Sequence, residues 1–272
     1  MSETFGQKIK KMVPEPALKL AQTTFDALAR SKDWPAATLH PWRRDSIRRI
    51  AALKDTHRGE RCFILGNGPS LKNTDLKKLK GEFTFGLNRI FLAFPELGFK
   101  TSVLLSVNDL VVEQSAAEIQ ALGIPTFVAW RGRRWLKPAD NLYFLYTTFT
   151  GPKFGRDLTG RLWEGATVTY AALQLAFYMG FETVILIGVD HNFVTQGKPN
   201  TTIVSQGDDP NHFHPAYFGK GFRWQLPDLD TSEQAYWMAR QAYEADGRRV
   251  IDATVGGKLQ VFPKVEYESL FK

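Results

Sequence analysis

Short apolar runs alternate with longer mixed segments from residue 61 onwards. The clearest run, Thr183–Val189, is continuous and β-branched, as strands buried in parallel sheets are. Gly165–Gly180 leaves little polar face and predicts a buried helix. The alternation predicts an α/β fold with a mostly parallel central sheet flanked by helices. Further strands are predicted at 63–65, 83–87, 101–107, 125–130, 142–146 and 249–253, and further helices at 74–80, 110–122, 231–245 and 265–271.

The alternation breaks over residues 192–230, where Gly, Pro, Asn, Asp and aromatic residues mix without a period. A loop of this length in a compact domain is usually functional or disordered. Its aromatic residues and its histidines, His212 and His214, argue against plain disorder. We therefore expect a lid over a binding site at about 192–230.

A basic segment precedes the alternation. Residues 1–61 hold 13 Lys and Arg against 7 Asp and Glu, so most of the chain's net charge of +7 lies there. Pro16 is suited to open a helix. The apolar positions on one face of that helix are Leu18, Ala21, Phe25 and Leu28. The helix is expected to pack on the main domain with a solvated face, and contact with anionic lipid or an acidic acceptor is the alternative.

Composition narrows the class of protein further. Cys62 is the only cysteine, which excludes an internal disulfide and a cysteine-rich zinc site. No apolar run approaches the ~20 residues of a membrane-spanning helix, and the first residues lack a signal-peptide pattern. No recognition motif accompanies the basic residues, so no nucleic-acid partner is expected. We expect a cytoplasmic protein, and peripheral contact at the inner membrane face through the basic N-terminus is the alternative left open. Its predicted organisation is a helical extension at 1–57 and a nucleotide-binding catalytic domain at 58–272.

The segment after the first predicted strand gives the strongest functional signal. Gly66-Asn67-Gly68-Pro69-Ser70 ends an apolar run, and its glycines permit close backbone approach or positive φ. Asn67 and Ser70 place polar side chains at the carboxyl end of a strand, where open α/β sheets bind ligands. The backbone amides of the loop are expected to complement negative charge. The loop suits a phosphate or a nucleotide, and a plain glycine-rich turn is the alternative.

Polar residues also follow the other predicted strands. Parallel strands bring their carboxyl ends to one edge of the sheet, so these residues should line one crevice. That convergence is the main argument for a site in a Rossmann-like fold. The residues concerned are Asn67, Asn88, Asn108, Asp109, Asp190 and His191.

Several familiar motifs are absent from the sequence. It has no Gly-x-x-x-x-Gly-Lys-Ser/Thr loop, no third glycine of the dinucleotide fingerprint and no Gly-x-Ser-x-Gly elbow. Asp228-Leu229-Asp230 has the Asp-x-Asp form of metal-dependent glycosyltransferases. It directly precedes a predicted helix, however, where capping explains it better. No metal site is expected.

His212 and His214 are the candidate catalytic residues. In an extended segment they point to the same side. Imidazole is well suited to take a hydroxyl proton at neutral pH, and closure of a lid would bring it over the substrate. Metal ligation and a pair of surface histidines are the alternatives. Tyr217 and Arg223 are candidates for contact with a leaving phosphate.

Together these motifs resemble the bacterial sialyltransferase fold, and more closely the MptE-like family, named after an archaeal 6-hydroxymethylpterin diphosphokinase. The flagellin-modifying motility accessory factors are similar to both. The resemblance covers roughly residues 58–271 and leaves the basic N-terminal stretch outside it. The segments that show it are Gly66–Leu71, Asn88, Asn108–Gln114 and Gly180–Asp190.

The resemblance implies roles for individual residues. In the sialyltransferases the Gly-Asn-Gly-Pro-Ser loop and the asparagine after the next strand hold the CMP moiety, and no metal takes part in the chemistry. A lid histidine deprotonates the acceptor hydroxyl and lid tyrosines bind the departing phosphate. His212 or His214 stands at the histidine position, and only Tyr217 stands near the tyrosine positions. The expected nucleotide-binding residues are Gly66, Asn67, Gly68, Pro69, Ser70, Asn88, Asn108, Asp109, Thr167 and Asp190.

Three hypotheses follow. The first is a metal-independent, cofactor-free glycosyltransferase that moves a sugar, sialic-acid-like or other, from CMP or another nucleotide to a hydroxyl of a glycan or glycoconjugate. The second is a diphosphokinase that moves pyrophosphate from ATP to a pterin alcohol, with Mg²⁺ held by carboxylates such as Asp109 or Asp190. The third is a non-catalytic nucleotide-binding module.

Overall fold

A parallel sheet forms the body of the protein. The computed structural model describes residues 15–194 and 197–272. The strands are β1 (Arg61–Leu65), β2 (Thr84–Leu87), β3 (Val103–Ser106), β4 (Thr126–Ala129), β5 (Leu142–Thr148), β6 (Arg161–Trp163), β7 (Thr183–Ile187), β8 (Thr202–Val204), β9 (Arg223–Gln225) and β10 (Arg249–Asp252). Within the described residues, eight of them form one sheet in the order β10-β7-β1-β2-β3-β4-β5-β6, and each neighbouring pair is parallel. The predicted α/β architecture is confirmed.

Strand β1 lies inside the sheet, between β2 and β7. Phe63 of β1 is opposite Thr84 on β2 and Ile185 on β7. Because all these pairings are parallel, the carboxyl ends of β1, β2, β3 and β7 face the same edge. The loops that follow these strands therefore meet at one place.

Helices cover the two faces of the sheet. Alternation along β1 sends Cys62 and Ile64 into one apolar cluster and Phe63 and Leu65 into the other. The α-helices are α1 (Glu15–Ser31), α2 (Trp34–Leu39), α3 (Pro41–Ala51), α4 (Phe94–Leu97), α5 (Asp109–Gln114), α6 (Ala116–Ala121), α7 (Val168–Met179) and α8 (Leu229–Glu244). The predicted buried helix is α7, which packs against β1, β2 and β3. It ends at Gly180, whose left-handed backbone suits glycine.

Two predicted helices differ from those observed. The segment predicted as a helix at 74–80 forms a 3₁₀ turn at Leu76–Leu79 instead, and another 3₁₀ turn precedes it at Pro69–Asn73. Leu76 and Leu79 are buried three residues apart, which matches the three-residue period of a 3₁₀ turn. The helix predicted at 110–122 is divided into α5 and α6 at Ser115, whose backbone departs from helical geometry.

The closing segment and the sheet also contain elements that the pattern missed. The helix predicted at 265–271 is a 3₁₀ turn over Tyr267–Phe271. The three-residue strand β6 was not predicted, because so short a run shows no alternation.

The helix α3 belongs to the body of the sheet domain. It packs against β5, where the Phe144 amide donates to the Ser46 hydroxyl at 3.0 Å. Arg49 donates to the Leu142 carbonyl at 2.6 Å, and buried Arg43 donates to the Thr159 carbonyl at 2.8 Å. The boundary predicted after residue 57 therefore divides a region that packs as one unit.

The helix α1 begins at Glu15, one residue before the predicted start. Phe25 and Leu28, two of the residues predicted to share its apolar face, are exposed to solvent. The side chain of Leu18, a third, lies outside the described residues. No helix in residues 15–194 or 197–272 has the length and apolar character needed to cross a membrane.

Candidate functional site

A cavity of about 530 Å³ opens at the carboxyl edge of the sheet. Its walls come from the loops after β1, β2, β3 and β7, from the start of α7, and from residues between β7 and α8. The predicted site residues that line it are Gly66, Asn67, Gly68, Asn88, Asn108, Asp109, Thr167, Asp190, His212 and Tyr217. The predicted residues that do not line it are Pro69, Ser70, His214 and Arg223.

Glycine contacts lock the loop after β1 against the loop after β7. A Cβ added at Gly66 would lie 2.2 Å from the Gly188 carbonyl oxygen, and one added at Gly68 would lie 1.8 Å from Asp190 Oδ2. The Ser70 hydroxyl donates to Asp190 Oδ2 at 2.7 Å and so fixes the carboxylate in this position. Of the two glycine roles considered for this loop, close approach is the one observed, because neither glycine has a positive φ.

The backbone amides of the same loop are already engaged. Gly66 donates to the Ile187 carbonyl at 2.8 Å and Gly68 to the Gly188 carbonyl at 2.9 Å. The Ser70 amide donates to Asp190 Oδ1 at 3.2 Å. The expectation that these three amides would complement a phosphate is wrong, because the loop uses them to hold the β7 side of the cavity.

Asn67 presents an acceptor that the protein does not use. Its side chain donates from Nδ2 to the Leu87 carbonyl at 3.1 Å, whereas Oδ1 is buried without a hydrogen-bond partner. Such atoms are rare in folded proteins and are best explained by a missing ligand or water. Asn67 lines the cavity, and its Oδ1 atom itself is shielded from solvent.

Asn108, in the loop after β3, has a structural task. Its Oδ1 caps α5 by accepting from the amides of Leu110 and Val111, at 3.0 and 3.2 Å. Asn88, after β2, accepts a hydrogen bond from the Ser106 hydroxyl at 3.1 Å. Asn88 and Asn108 therefore stabilise the loops at the edge of the cavity as well as line it.

Backbone strain is concentrated around the cavity. Of the five non-glycine residues with positive φ in the described part of the chain, four line it. Side-chain-bearing residues adopt this conformation at an energetic cost, and such residues cluster at functional sites. The four are Asn88 (48°), Ala166 (58°), His191 (52°) and Asn200 (64°).

The N-terminus of α7 borders the cavity through residues 166–169. The helix dipole makes such a terminus suited to an anion, and no acidic residue occupies its first turn, although the Thr167 hydroxyl oxygen already accepts from the Thr169 amide at 3.3 Å. The hydroxyls of Thr167 and Tyr236 lie 3.3 Å apart beside it. This terminus is the best-placed group for a phosphate.

A buried ion-pair cluster forms the floor below the loop after β3. Arg131 donates from Nε to both carboxylate oxygens of Asp109, at 3.0 Å each, and from a terminal nitrogen to Glu164 at 2.7 Å. Burial raises the pKa of Glu164, and the Arg131 charge opposes that rise. Asp109 and Glu164 line the cavity, so the floor presents two carboxylates that share one guanidinium. Glu164 and Arg131 were not predicted.

The carboxylates proposed to hold Mg²⁺ do not fit that task. Both carboxylate oxygens of Asp109 accept from Arg131 Nε, and Asp190 accepts from the amide and hydroxyl of Ser70. Burial raises the pKa of Asp190, which further disfavours its ionised form. Within residues 15–194 and 197–272 no group of three or more His, Cys, Asp or Glu is arranged to hold a metal ion.

The insertion between β7 and α8, residues 192–228, supplies an Asp–His pair. His212 Nδ1 lies 2.7 Å from Asp209 Oδ2, and the Asp209 carboxylate is buried. Amides of Asn211 and Phe218 also donate to Asp209, at 2.8 and 3.1 Å, so the carboxylate is fixed in place. The imidazole stacks on Tyr217, with 4.0 Å between ring centroids. With Nδ1 oriented by Asp209, the other ring nitrogen is left for chemistry in the cavity.

Of the other residues predicted to act in the lid, Tyr217 lines the cavity, whereas His214 and Arg223 do not. His214 is partly exposed and its Nδ1 accepts from the Ala216 amide at 3.1 Å, so it shapes a turn outside the cavity. Tyr217 lines the cavity, but burial raises the pKa of its hydroxyl and the ring acts mainly as a support for His212. Arg223 pairs with Glu113 at 2.9 Å, away from the cavity.

The cavity lacks fixed cations. Among the described residues that line it, none is Lys or Arg. Neighbouring His191 is half-buried, and burial lowers its pKa. Anion recognition in this cavity therefore depends on amides, hydroxyls and the α7 terminus.

A family comparison bears on this arrangement. The family model described as 6-hydroxymethylpterin diphosphokinase MptE-like matches residues 43–196, which is more than half of the chain. The protein belongs to the MptE-like family. The resemblance seen in its motifs is thereby confirmed. No curated protein matches this MptE-like chain significantly.

Among solved structures, the MptE-like protein is similar to the Maf glycosyltransferase from Magnetospirillum magneticum AMB-1. The two chains share 15% sequence identity with a TM-score of 0.48. The alignment covers 83% of this chain but only 38% of the Maf chain. Similarity at this level carries no assignment of activity.

The family match separates the two parts of the MptE-like site. Residues 43–196 include the loops after β1, β2, β3 and β7 and the start of α7. The span ends before Asp209 and His212. The family match therefore includes the strand-end groups and leaves out the Asp–His pair.

Proposed function

We propose that this MptE-like protein is a metal-independent glycosyltransferase that transfers a sugar from a nucleoside monophosphate to a hydroxyl of a glycan or glycoconjugate. The observation that carries the proposal is the placement of an Asp209-oriented His212 in a cavity that borders a helix N-terminus and has no Lys or Arg among its described lining residues. A CMP-linked acidic sugar of the sialic-acid type is the first donor to test.

The charged groups of the cavity bear on how many phosphates the donor carries. A di- or triphosphate carries two or more negative charges that proteins ordinarily neutralise with Lys, Arg or Mg²⁺. The α7 terminus with the Thr167 hydroxyl complements one phosphate group. A single bridging phosphate therefore fits this terminus better than the phosphates of ATP or a UDP-sugar, and the carboxylate of an acidic sugar would need a separate partner in the cavity.

The nucleoside would lie along the asparagine rim. The Oδ1 atom of Asn67 has no hydrogen-bond partner. Both the amino group of cytosine and a ribose hydroxyl would supply a hydrogen-bond donor for it. The strained backbone at Asn88 holds its side chain at the same rim.

His212 would act as the general base. Its free ring nitrogen takes the proton of the acceptor hydroxyl while the acceptor oxygen attacks the anomeric carbon of the sugar. The bond from that carbon to the phosphate oxygen breaks, and its electron pair leaves with the nucleoside monophosphate. The α7 terminus stabilises the charge that develops on the departing phosphate.

The diphosphokinase reading is the second candidate, since the family is described by that activity. It requires Mg²⁺ and a grip on three phosphates. Asp109 and Asp190 are committed to Arg131 and Ser70, and the lining residues are without a Lys or Arg that would replace the metal. These two observations weigh against it. A binding module without turnover is the third reading, and it leaves the Asp209–His212 pair without a task.

Two measurements test the proposal. Calorimetric titration with CMP, CDP, UDP and ATP, with and without Mg²⁺, should give saturable binding of CMP that does not depend on the metal. Release of CMP from a CMP-linked acidic sugar in the presence of a glycan acceptor should fall by about 10²–10⁴-fold in His212→Gln, with CMP affinity unchanged. His214→Gln is the matched control and should retain turnover.

Absence of saturable CMP binding would end the proposal. Magnesium-dependent release of AMP from ATP with a pterin alcohol would establish the second candidate in its place. CMP binding without any turnover in the unsubstituted protein would favour the third.

A further inference from the structure

The helix α1 is oriented with its apolar face outward. Asp26 on its polar face is buried, and Arg30 on that face donates to the Thr150 hydroxyl at 3.1 Å. On the opposite side, Leu20, Phe25 and Leu28 are 69%, 70% and 63% exposed. An amphipathic helix on a globular protein normally buries the apolar face instead. The observed orientation leaves that face available to something outside the chain.

Exposed apolar side chains also occur in α2, the next helix along the chain. Trp34 and Leu39, at the two ends of that helix, are also exposed. Five of the ten large hydrophobic side chains that are exposed in the described residues therefore fall between residues 20 and 39. Scattered exposed apolar residues need no explanation, but a concentration of this kind marks an interaction surface. We call residues 20–39 the docking face.

Basic residues surround the end of this docking face. Arg30 and Arg161 both hydrogen-bond Thr150. Burial lowers the pKa of Lys153, and the nearby charge of Arg161 lowers it further. Lys32 is exposed two residues after Arg30, and Arg133 lies close enough to Arg134 and to Asp33 to interact with both. The apolar face is thus bordered by positive charge.

We propose that the docking face binds the surface of an anionic membrane, with the apolar side chains of α1 and Trp34 inserted at the level of the lipid headgroups. Outward apolar side chains, an aromatic residue at the margin and flanking cations are the features of an interfacial helix. A second copy of the chain is disfavoured as the occupant. A symmetric contact would place the same cationic border against itself.

Vesicle sedimentation with the full chain tests the proposal. Vesicles of phosphatidylcholine with about a third phosphatidylglycerol should bind the protein, and vesicles of phosphatidylcholine alone should bind it weakly or not at all. The double substitution Phe25→Glu with Leu28→Glu should lower the bound fraction by at least about tenfold. Both side chains are exposed, so thermal unfolding should be unchanged and a loss of binding will not reflect a loss of fold.

A matched control is available elsewhere on the surface. Val255 is 44% exposed in the loop after β10, and Val255→Glu should leave vesicle binding unchanged. Equal binding to both kinds of vesicle, or equal binding of the double variant and the unsubstituted protein, would overturn the proposal. A dimer in sedimentation equilibrium that the double substitution dissociates would overturn it in favour of self-association.

Discussion

The loops at the strand ends and the insertion of residues 192–228 line the same cavity, but different forces hold them. The strand-end loops are fixed by backbone hydrogen bonds and by glycine contacts that leave no room for a Cβ, as at Gly66 and Gly68. The insertion contains the antiparallel strand pair β8–β9, and it is also held by side chains. It centres on a small aromatic cluster that includes Tyr217, Phe218 and Trp224.

The two regions meet through a few hydrogen bonds. The Phe213 amide donates to the Asn67 carbonyl at 2.8 Å. The Gln114 side chain donates to the Arg223 carbonyl and accepts from the Arg223 amide, both at 2.8 Å. The difference teaches that the sheet positions the groups that bind, whereas the insertion brings the group proposed to react. Substitutions in the first region should reduce stability, and substitutions in the second should reduce turnover.

The largest effect is expected below the strand ends, at Arg131. Arg131→Leu leaves the buried Glu164 and the partly exposed Asp109 without their partner and should lower the free energy of unfolding by about 3–5 kcal/mol. Urea denaturation measures it. Arg48→Leu is the control, because the Arg48 side chain is 80% exposed in its pair with Asp45 and should contribute less than about 1 kcal/mol.

The pH dependence of that variant sharpens the same point. Burial raises the pKa of Glu164 above its ordinary 4.5, and Arg131 counteracts the rise. An acid whose pKa is raised by folding stabilises the folded state below its unfolded pKa and loses that contribution as the pH rises through the folded pKa. Loss of Arg131 should therefore destabilise the protein more at pH 8 than at pH 5. An equal loss at both values would mean that Glu164 is not ionised in the parent protein.

A glycine substitution separates the two regions directly. Gly66→Ala would drive a Cβ into the Gly188 backbone and should cost about 2–3 kcal/mol, with a fall in Tm of several degrees. Gly207→Ala, in the insertion, meets nothing within 4 Å and should leave Tm unchanged. Similar Tm values for the two variants would contradict the picture of a rigid strand-end region.

Asp209 tests the insertion as the source of chemistry. Asp209→Asn should lower kcat by about tenfold to a hundredfold with little change in KM, because Asp209 positions His212 and is not expected to touch the substrate. The neighbouring Asp208 is exposed, and Asp208→Asn should leave kcat unchanged. An Asp209→Asn effect on KM alone would place the residue in binding instead.

The smallest effect is expected where the regions meet. Asn67→Ala removes the unpaired Oδ1 acceptor together with the Nδ2 donor to the Leu87 carbonyl, so stability should fall by about 1 kcal/mol. Affinity for CMP should fall by about tenfold in calorimetric titration, since the nucleotide loses its donor–acceptor partner. Exposed Asn73 provides the control, as Asn73→Ala should bind CMP normally. Full affinity in Asn67→Ala would remove Asn67 from the nucleotide site.

The sequence was sufficient to predict the parallel sheet and the meeting of strand ends, because both follow from local signals. Apolar runs that stop at Asn67 and Asn88 identify the ends of β1 and β2, and the parallel topology places those ends together. The buried helix α7 was equally visible, since an apolar helix without a polar face has to lie in the interior.

The groups that were missed depend on contacts between distant segments. Glu164 follows a three-residue strand, and its ion pair is with Arg131, 33 positions earlier in the chain. No local pattern predicts that contact. Asp209 stands in a polar run that looks like any turn until its carboxylate is buried against His212. The sequence could not separate His212 from His214 either, because the segment is a turn and the period of two does not apply.

The placement of β1 has a consequence for how the chain is made. Its apolar residues leave the ribosome early, yet its partner on one side, β7, is synthesised roughly 120 residues later. At about 5–20 residues per second, that edge of the nascent sheet stays unpaired for on the order of ten seconds. The nascent chain must be shielded from neighbouring chains until Thr183–Ile187 arrives, and a pause in translation before that strand would lengthen its exposure to aggregation.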